Sequence, residues 1–124
     1  MSGDKILLDS VILIDHFNAV ARATAYLKSV GESAFISAIT RAEVLTGFDA
    51  TNAALARTLL DRYALLPIDG PVADMSAALR REHGWRLPDA LQVACALCHG
   101  LKLATRNTKD FSSRLPFVVI PYRI

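Results

Sequence analysis

The sequence has little of several features that would mark a specialised class of protein. It contains only two cysteines, Cys95 and Cys98, too few for a disulfide-rich secreted scaffold. No apolar stretch approaches the roughly 20 residues that a membrane-spanning helix needs. Tryptophan occurs once, and the formal net charge is only +2. These deficits predict a cytoplasmic protein without a membrane span, and the small charge permits a nucleic-acid partner without requiring one.

What the sequence does contain is a high proportion of apolar residues. Hydrophobic residues make up 52% of the 124 positions, and the mean hydropathy is +0.31. The length is close to the commonest domain size, so we expect a single domain over residues 1–124 with one sizeable core. The surplus of apolar residues predicts that some apolar surface is reserved for a partner.

Short apolar runs alternate with longer segments of helical periodicity along the whole chain. This order predicts an α/β fold, a central parallel sheet of four to five strands flanked by helices in three layers. The expected strands are 5–8, 33–37, 64–68, 101–105 and a possible fifth at 117–120. The expected helices are 11–17, 19–30, 40–47, 52–62, 72–83 and 88–100.

The first apolar run, Lys5-Ile-Leu-Leu-Asp-Ser10, organises this interpretation. A continuous apolar run suits a central strand covered on both faces, and Asp9 would stand at its carboxyl end. In open α/β sheets ligands bind at that edge, because each strand delivers its last side chain there beside the start of the next helix. Other acids delivered to the same edge would share a site with Asp9.

Three further acids have comparable positions, each after a predicted strand or at a helix start. Carboxylates about 4 Å apart repel by roughly 4 kcal/mol at an effective dielectric constant near 20, so a group of them needs a cation. Oxygen ligands without His or Cys favour Mg²⁺ or Mn²⁺. Such an ion can activate water for attack on a phosphodiester, which predicts nuclease chemistry. The predicted catalytic and metal-binding acids are Asp9, Glu43, Asp89 and Asp110.

Each acid also has a plain structural interpretation. Asp9 can cap the following helix, and Thr40-Arg-Ala-Glu43 matches a capping box. Asp89 can interact favourably with a helix dipole, and Asp110 can be a turn residue. The joint pattern is harder to explain structurally, because independent structural acids have no reason to meet at one sheet edge.

Four segments of the chain resemble the motifs of PIN-domain proteins, and more narrowly those of VapC-type toxin ribonucleases from bacterial toxin–antitoxin pairs. The segments follow one another in the family's order and span nearly the whole chain. They are Leu7-Leu-Asp-Ser-Val-Ile-Leu-Ile14, Ser37-Ala-Ile-Thr-Arg-Ala-Glu-Val-Leu-Thr-Gly47, Leu87-Pro-Asp-Ala-Leu-Gln-Val-Ala-Cys-Ala96 and Ala104-Thr-Arg-Asn-Thr-Lys-Asp-Phe111.

The resemblance implies a PIN-like fold and a metal-dependent endoribonuclease that is the toxin of a type II system. It implies the same four acids as the site, with Ser10 and Asn107 as supporting polar groups. It also implies a cognate antitoxin and a homodimer, with apolar surface on the early helices, around residues 11–27, as the antitoxin's binding site. Ser10 replaces a common threonine, and Gln92 replaces a branched or small residue; Asp15 faces away from Asp9 and is not included.

Several cations lie close in sequence to the acids and are candidates for binding RNA phosphates. The alternative is that they balance the acids or stay solvated. Cys95 and Cys98 are spaced as C-x-x-C but lie within a helical pattern without a second pair, so we interpret them as small core residues. The candidate substrate-binding residues are Arg41, Arg86, Arg106 and Lys109.

Two other classes of function compete with the nuclease. A phospho-acceptor receiver domain would suit the length, the α/β alternation and Asp69 after the third strand, but it needs an acidic pair where Asp9 is followed by Ser10. A non-catalytic PIN-like scaffold that binds RNA or protein is the third possibility. The presence of all four acids argues against the scaffold.

Overall fold

The structure is a computed structural model that describes residues 5–124. Residues 1–4, which the single-domain prediction included, lie outside the described residues. The strands are β1 (Ile6–Leu8), β2 (Ala34–Ser37), β3 (Ala64–Leu66), β4 (Lys102–Ala104) and β5 (Val118–Val119). The helices are α1 (Ser10–Phe17), α2 (Ala21–Val30), α3 (Ala38–Thr46), α4 (Ala50–Leu60), α5 (Gly70–His83) and α6 (Leu87–Cys98), with a 3₁₀ turn at Gly31–Ser33.

The five strands form one sheet in the order β3-β2-β1-β4-β5, and every neighbouring pair is parallel. The central strand is β1, where Leu7 stands in register with Phe35 of β2 and Leu103 of β4. This arrangement confirms the predicted α/β fold, including the fifth strand. It also places Asp9 in the middle of the sheet's carboxyl edge.

Alternation along β1 separates two layers of helices. Leu7 packs into a cluster with residues of α5 and α6. Ile6 and Leu8 point to the opposite face and pack with residues of the first four helices, because successive side chains of a strand face opposite ways. Sheet and helices therefore form the expected three layers. Within residues 5–124 no helix is both long and apolar enough to cross a membrane.

The start of α3 differs from the sequence prediction. We expected the helix to begin at Thr40 with a capping box that includes Glu43, but Ser37 is the N-cap and its hydroxyl accepts a hydrogen bond from the Thr40 amide at 3.1 Å. Ser37 is also the last residue of β2, so the strand turns directly into the helix. The capping-box interpretation is wrong because a serine three residues earlier already provides the cap.

Smaller differences follow from local chemistry. β3 ends at Leu66 rather than at residue 68, because Pro67 has no amide hydrogen to donate to a neighbouring strand. α6 begins at Leu87, one residue before Pro88. Cys95 is buried as expected, whereas the prediction that Cys98 is a core residue is wrong, because it lies exposed at the last position of α6.

Candidate active site

Asp9 lies where β1 becomes α1. Its amide donates to the carbonyl of Ala104 at 2.9 Å, so the backbone is still attached to β4. Its side chain is the N-cap of α1 and accepts from the amide of Ser10 at 2.8 Å. The structural and functional interpretations of Asp9 are therefore compatible, since the cap itself holds the carboxylate at the sheet edge.

Two side chains from other elements also donate to the Asp9 carboxylate. The hydroxyl of Thr105, which follows β4, donates to Oδ2 at 2.7 Å. The amide of Gln92 on α6 donates to Oδ1 at 3.4 Å. Asp9 is only 7% exposed, so these donors set the orientation of a nearly buried carboxylate. Sequence analysis did not identify Thr105, which was the last residue of the predicted fourth strand; in the structure it directly follows β4, as Asp9 follows β1.

Gln92 is the centre of a buried polar network behind Asp9. Its Oε1 accepts from the hydroxyl of Ser37 at 2.7 Å, and its Nε2 donates to Oγ1 of Thr40 at 2.5 Å. Thr40 in turn donates to the carbonyl of Leu8 at 3.1 Å. Among the described residues no buried side-chain nitrogen or oxygen lacks a partner. Gln92 therefore reaches the site, and the clue in the sequence was a glutamine inside an apolar run.

Glu43 approaches Asp9 from α3. Ser10 donates from its hydroxyl to Oε1 of Glu43 at 3.0 Å, which connects the start of α1 to α3. Glu43 is exposed, in contrast to Asp9. Burial raises the pKa of Asp9, and the negative charge of Glu43 raises it further, while the donors from Thr105, Ser10 and Gln92 oppose that rise. Ser10 therefore contacts Glu43 directly, and its supporting role in the site stays a prediction.

Asp89 stands in the first turn of α6 and is half-buried. Burial raises its pKa, and the charges of Asp110 and then Asp9 raise it further, while Arg86 opposes this. Asp110 lies in the loop after β4, where Asn107 Nδ2 donates to its Oδ2 at 2.7 Å. Asn107 therefore supports Asp110 directly, by a side-chain contact across three residues.

The four predicted acids come to one edge of the sheet and influence one another electrostatically. As their side chains stand, no group of three or more acidic, His or Cys residues within 5–124 is arranged to hold one metal ion. Glu43 and Asp110 are instead bonded to Ser10 and Asn107. That all four acids bind a single metal ion stays a prediction.

The candidate phosphate-binding cations have different surroundings. Arg41 forms an ion pair with Asp61 at 2.8 Å. Arg86 and Lys109 are exposed, and Arg86 lies close enough to Asp89 to oppose the rise of its pKa. Arg106 forms an ion pair with the buried carboxylate of Asp15. A role in binding RNA stays a prediction for these cations.

Asp15, which sequence analysis did not include in the site, is buried and paired with Arg106. The guanidinium donates from Nε to Oδ2 at 2.5 Å and from NH2 to Oδ1 at 2.9 Å. The hydroxyl of Tyr122 also donates to Oδ2, at 2.8 Å. The hydrogen bonds and charge of Arg106, together with Tyr122, lower the pKa of Asp15 despite its burial. An aspartate following the apolar run 11–14 was the available signal.

Asp69, the acid on which the receiver interpretation depended, caps a helix. Its carboxylate accepts from the amide of Val72 at 3.1 Å as the N-cap of α5. The interpretation also lacked a second acid beside Asp9. The structure gives it no support.

Comparisons with known proteins agree with this geometry. The family model described as PIN domain matches residues 6–114. The fold is similar to a chain of a toxin–antitoxin complex from Klebsiella pneumoniae, at 39% identity and a TM-score of 0.89, covering 96% of this chain and 99% of that one. Comparison with curated protein sequences gives no match.

Two further solved structures have the same fold at lower identity. FitAcB from Neisseria gonorrhoeae is 28% identical with a TM-score of 0.77, covering 94% of this chain and 97% of that one. DNA-bound VapBC from Salmonella typhimurium is 21% identical with a TM-score of 0.78, covering 98% of both chains, and indicates the fold alone. From the family match over most of its length, we conclude that this chain belongs to the PIN-domain family.

Proposed function

We propose that this protein is an endoribonuclease that depends on Mg²⁺ or Mn²⁺ and serves as the toxin of a type II toxin–antitoxin pair. The observation that carries the proposal is the meeting of four carboxylates at the carboxyl edge of the sheet, from the starts of α1 and α6, from α3 and from the loop after β4. Burial and the charge of Glu43 raise the pKa of Asp9, and the charges of Asp110 and Asp9 raise that of Asp89. Acids that repel one another in this way are stabilised by a divalent cation.

The donor set fits a hard cation, because it consists of carboxylate oxygens without thiol or imidazole. Asp9 and Asp89 would hold the ion, together with Glu43 and Asp110. When bound, the ion supplies an activated water and stabilises the charge that builds on a phosphate oxygen. Glu43 accepts from Ser10 through Oε1 and Asp110 accepts from Asn107 through Oδ2, so each carboxylate would use its second oxygen as a ligand of the ion.

The other side chains of the site have positioning roles in this proposal. Thr105 and Gln92 keep the Asp9 carboxylate in one orientation, and Asn107 does the same for Asp110. Arg86 and Lys109, which are exposed, would bind the phosphates that flank the cleaved bond. An RNA substrate is supported by the family resemblance of the four motifs.

The test is cleavage of labelled single-stranded RNA in Mg²⁺ or Mn²⁺, with EDTA as the metal-free control. We expect Glu43→Gln to lower kcat by at least about 100-fold, because it removes a ligand of the ion. Glu32→Gln is the matched control. Glu32 is an exposed glutamate in the 3₁₀ turn that precedes β2, at the amino ends of the strands and thus away from the acids. Equal activity in the two variants would contradict the proposal, and RNA binding without cleavage by the parent protein would favour a non-catalytic scaffold.

We also propose that a cognate antitoxin segment binds at the early helices. A cavity of about 490 Å³ lies between α1, α2 and the end of α4, and residues such as His16, Leu27 and Tyr63 line it. Its wall combines apolar side chains with charges from Lys28 and Arg62, which suits an amphipathic segment that folds on binding. The fold it shares with the Klebsiella pneumoniae toxin–antitoxin complex supports an antitoxin as the occupant.

Copurification with the protein encoded directly upstream tests this second proposal. Arg62→Glu reverses a charge in the cavity wall and is expected to weaken the complex by at least about tenfold. Arg81→Glu, an equivalent change at an exposed position of α5, is the control. A complex that is equally stable in both variants would show that the segment binds elsewhere.

A further inference from the structure

A buried ionic cluster connects three separate parts of the chain next to the acidic site. Asp15 lies on α1, Arg106 in the loop after β4, and Tyr122 in the segment after β5. The Arg106 guanidinium makes two hydrogen bonds to Asp15, and the Tyr122 hydroxyl makes a third. Asp15 is only 4% exposed, whereas the side chain of Arg106 is 31% exposed. The cluster is thus a nearly buried carboxylate held by two donors.

Arg106 stands between the residues that position two of the acids. The preceding residue, Thr105, donates to Asp9 at 2.7 Å, and the following residue, Asn107, donates to Asp110 at 2.7 Å. The amide of Asn107 also donates to the Thr105 hydroxyl at 3.0 Å, so the three residues form one connected turn. The side chain of Arg106 is the part of this turn that reaches the middle of α1.

The partner of Arg106 lies on the same helix that Asp9 caps. Asp9 precedes α1 and Asp15 lies in its second half. The turn at 105–107 is therefore attached to α1 at two places, through the contact of Thr105 with Asp9 and through the ion pair of Arg106 with Asp15. Two attachments fix both the distance and the angle between the helix and the turn, which a single contact does not.

We propose that Arg106, held by Asp15 and Tyr122, is a positioning residue that sets the relative placement of Asp9 and Asp110, and that it does not bind RNA phosphates. This inference rests on the proposed function, because it assigns those two acids to catalysis. It replaces the expectation from sequence that Arg106 is a phosphate-binding cation. The bidentate geometry, which lysine cannot reproduce, explains an arginine at this position.

The two roles of Arg106, binding phosphate or positioning the turn, predict changes in different kinetic constants when Asp15 is replaced. If Arg106 bound phosphates, Asp15→Asn would free the guanidinium for RNA, and KM would fall. If Arg106 positions the turn, Asp15→Asn would loosen it and lower kcat by at least about tenfold, because small displacements of catalytic groups are costly. KM would then stay within about twofold of the parent value.

The kinetic experiment uses full-length protein, labelled single-stranded RNA and Mn²⁺. Asp15→Asn, Arg106→Gln and the milder Tyr122→Phe should all lower kcat, in decreasing order of effect. Asp74→Asn and Arg57→Gln, which change exposed residues of α5 and α4, are the matched controls and should keep parent kinetics. The dependence of log KM on log salt concentration should keep its slope in Arg106→Gln, whereas loss of a phosphate contact would reduce the slope by about 1.

Amide hydrogen exchange gives a second result that does not depend on nuclease activity. In Asp15→Asn and Tyr122→Phe, residues 105–111 should exchange faster than in the parent while β1 keeps its protection, since only the turn loses an attachment. If the parent protein cuts no RNA, the proposed function fails, and exchange still decides whether the cluster holds the turn. Any one of three results would overturn the inference: unchanged exchange at residues 105–111, a lower KM in Asp15→Asn, or a reduced slope of log KM against log salt concentration in Arg106→Gln.

Discussion

At the scale of single residues, the Asp9 carboxylate experiences opposing influences. It accepts hydrogen bonds from Ser10, Thr105 and Gln92, which favour the charged form. Burial and the charge of Glu43 favour the neutral form, and the net result is a raised pKa. Hydrogen bonds keep the group correctly oriented, while its charge remains costly without a cation. Orientation and charge of Asp9 can therefore be separated by mutation.

Asp9→Asn should abolish RNA cleavage and leave the metal-free protein as stable as the parent or slightly more stable. Asparagine still accepts from the Ser10 amide as an N-cap, and it removes one charge from a group that repels Glu43 and Asp89. Thermal melts in EDTA, paired with cleavage assays in Mg²⁺ or Mn²⁺, check both parts. A melting temperature well below that of the parent in EDTA would mean that Asp9 is chiefly structural. With the ion bound, the parent can become the more stable of the two proteins, because the ion stabilises it.

Because the pKa values of Asp9 and Asp89 are raised, the contribution of these two groups to the stability of the metal-free protein falls as the pH rises from about 4 through their pKa values in the folded state. In that range the unfolded chain releases protons that the folded state retains, so unfolding becomes more favourable with increasing pH. Asp15 has the opposite sign, because its lowered pKa gives stability that is lost only as the pH falls below about 4. The difference in melting temperature between Asp9→Asn and the parent, measured in EDTA, should therefore grow with pH; a constant difference would contradict this explanation.

At the scale of elements, Ser37 joins β2, α3 and α6. It ends β2, caps α3 through the Thr40 amide, and donates its hydroxyl proton to Gln92 of α6. Because the side-chain amide of Gln92 also donates to Asp9, this one buried group connects the junction of β2 and α3 to the site. Polar networks of this kind favour a single arrangement of the elements, since any other leaves buried groups unpaired.

Ser37→Ala should lower the free energy of unfolding by about 2–4 kcal/mol. About 1 kcal/mol comes from the lost cap, and a further 1–3 kcal/mol from the unpaired Oε1 of Gln92. Asp49→Ala is the control, because Asp49 caps α4 at an exposed position and should cost only about 1 kcal/mol. Urea unfolding of both variants checks the comparison, and equal losses would mean that the bond to Gln92 contributes nothing.

At the scale of the whole molecule, several large apolar side chains remain on the surface of the described residues. Leu55 is 71% exposed and Leu65, on the edge strand β3, is 49% exposed. Ile14, Leu87 and Leu97 are also exposed. That this apolar surface serves partners, as the composition led us to expect, stays a prediction.

We predict that the protein forms a homodimer in solution. Exposed apolar residues and the family resemblance motivate this prediction, since burying apolar surface is the main driving force of association. Light scattering at micromolar concentration should give twice the 13.5 kDa mass of one chain. A monomeric mass that persists as the concentration is raised would exclude the dimer.

Local patterns were sufficient to predict the elements and the topology class. Apolar runs of strand length between helical segments led to the five strands, and Gly84, which has a φ of +70°, ends α5 where a glycine was expected to close it. Boundaries differed where two local signals competed, as with Ser37 and Thr40 at the start of α3. Such errors are expected, because either residue is an acceptable N-cap and only the path of the chain decides between them.

Local periodicity was enough to predict Asp9, Glu43, Asp89 and Asp110 at one edge of a parallel sheet, because it reveals where strands end and helices begin. Which uncharged and ion-paired side chains surround these acids depends on the packing of distant elements and was not predictable from local patterns. Gln92 meets Asp9 across 83 residues, and Arg106 meets Asp15 across 91. No local pattern encodes such contacts, because they depend on how helices and loops pack over the sheet, and each polar side chain there is buried only once its distant partner is in place.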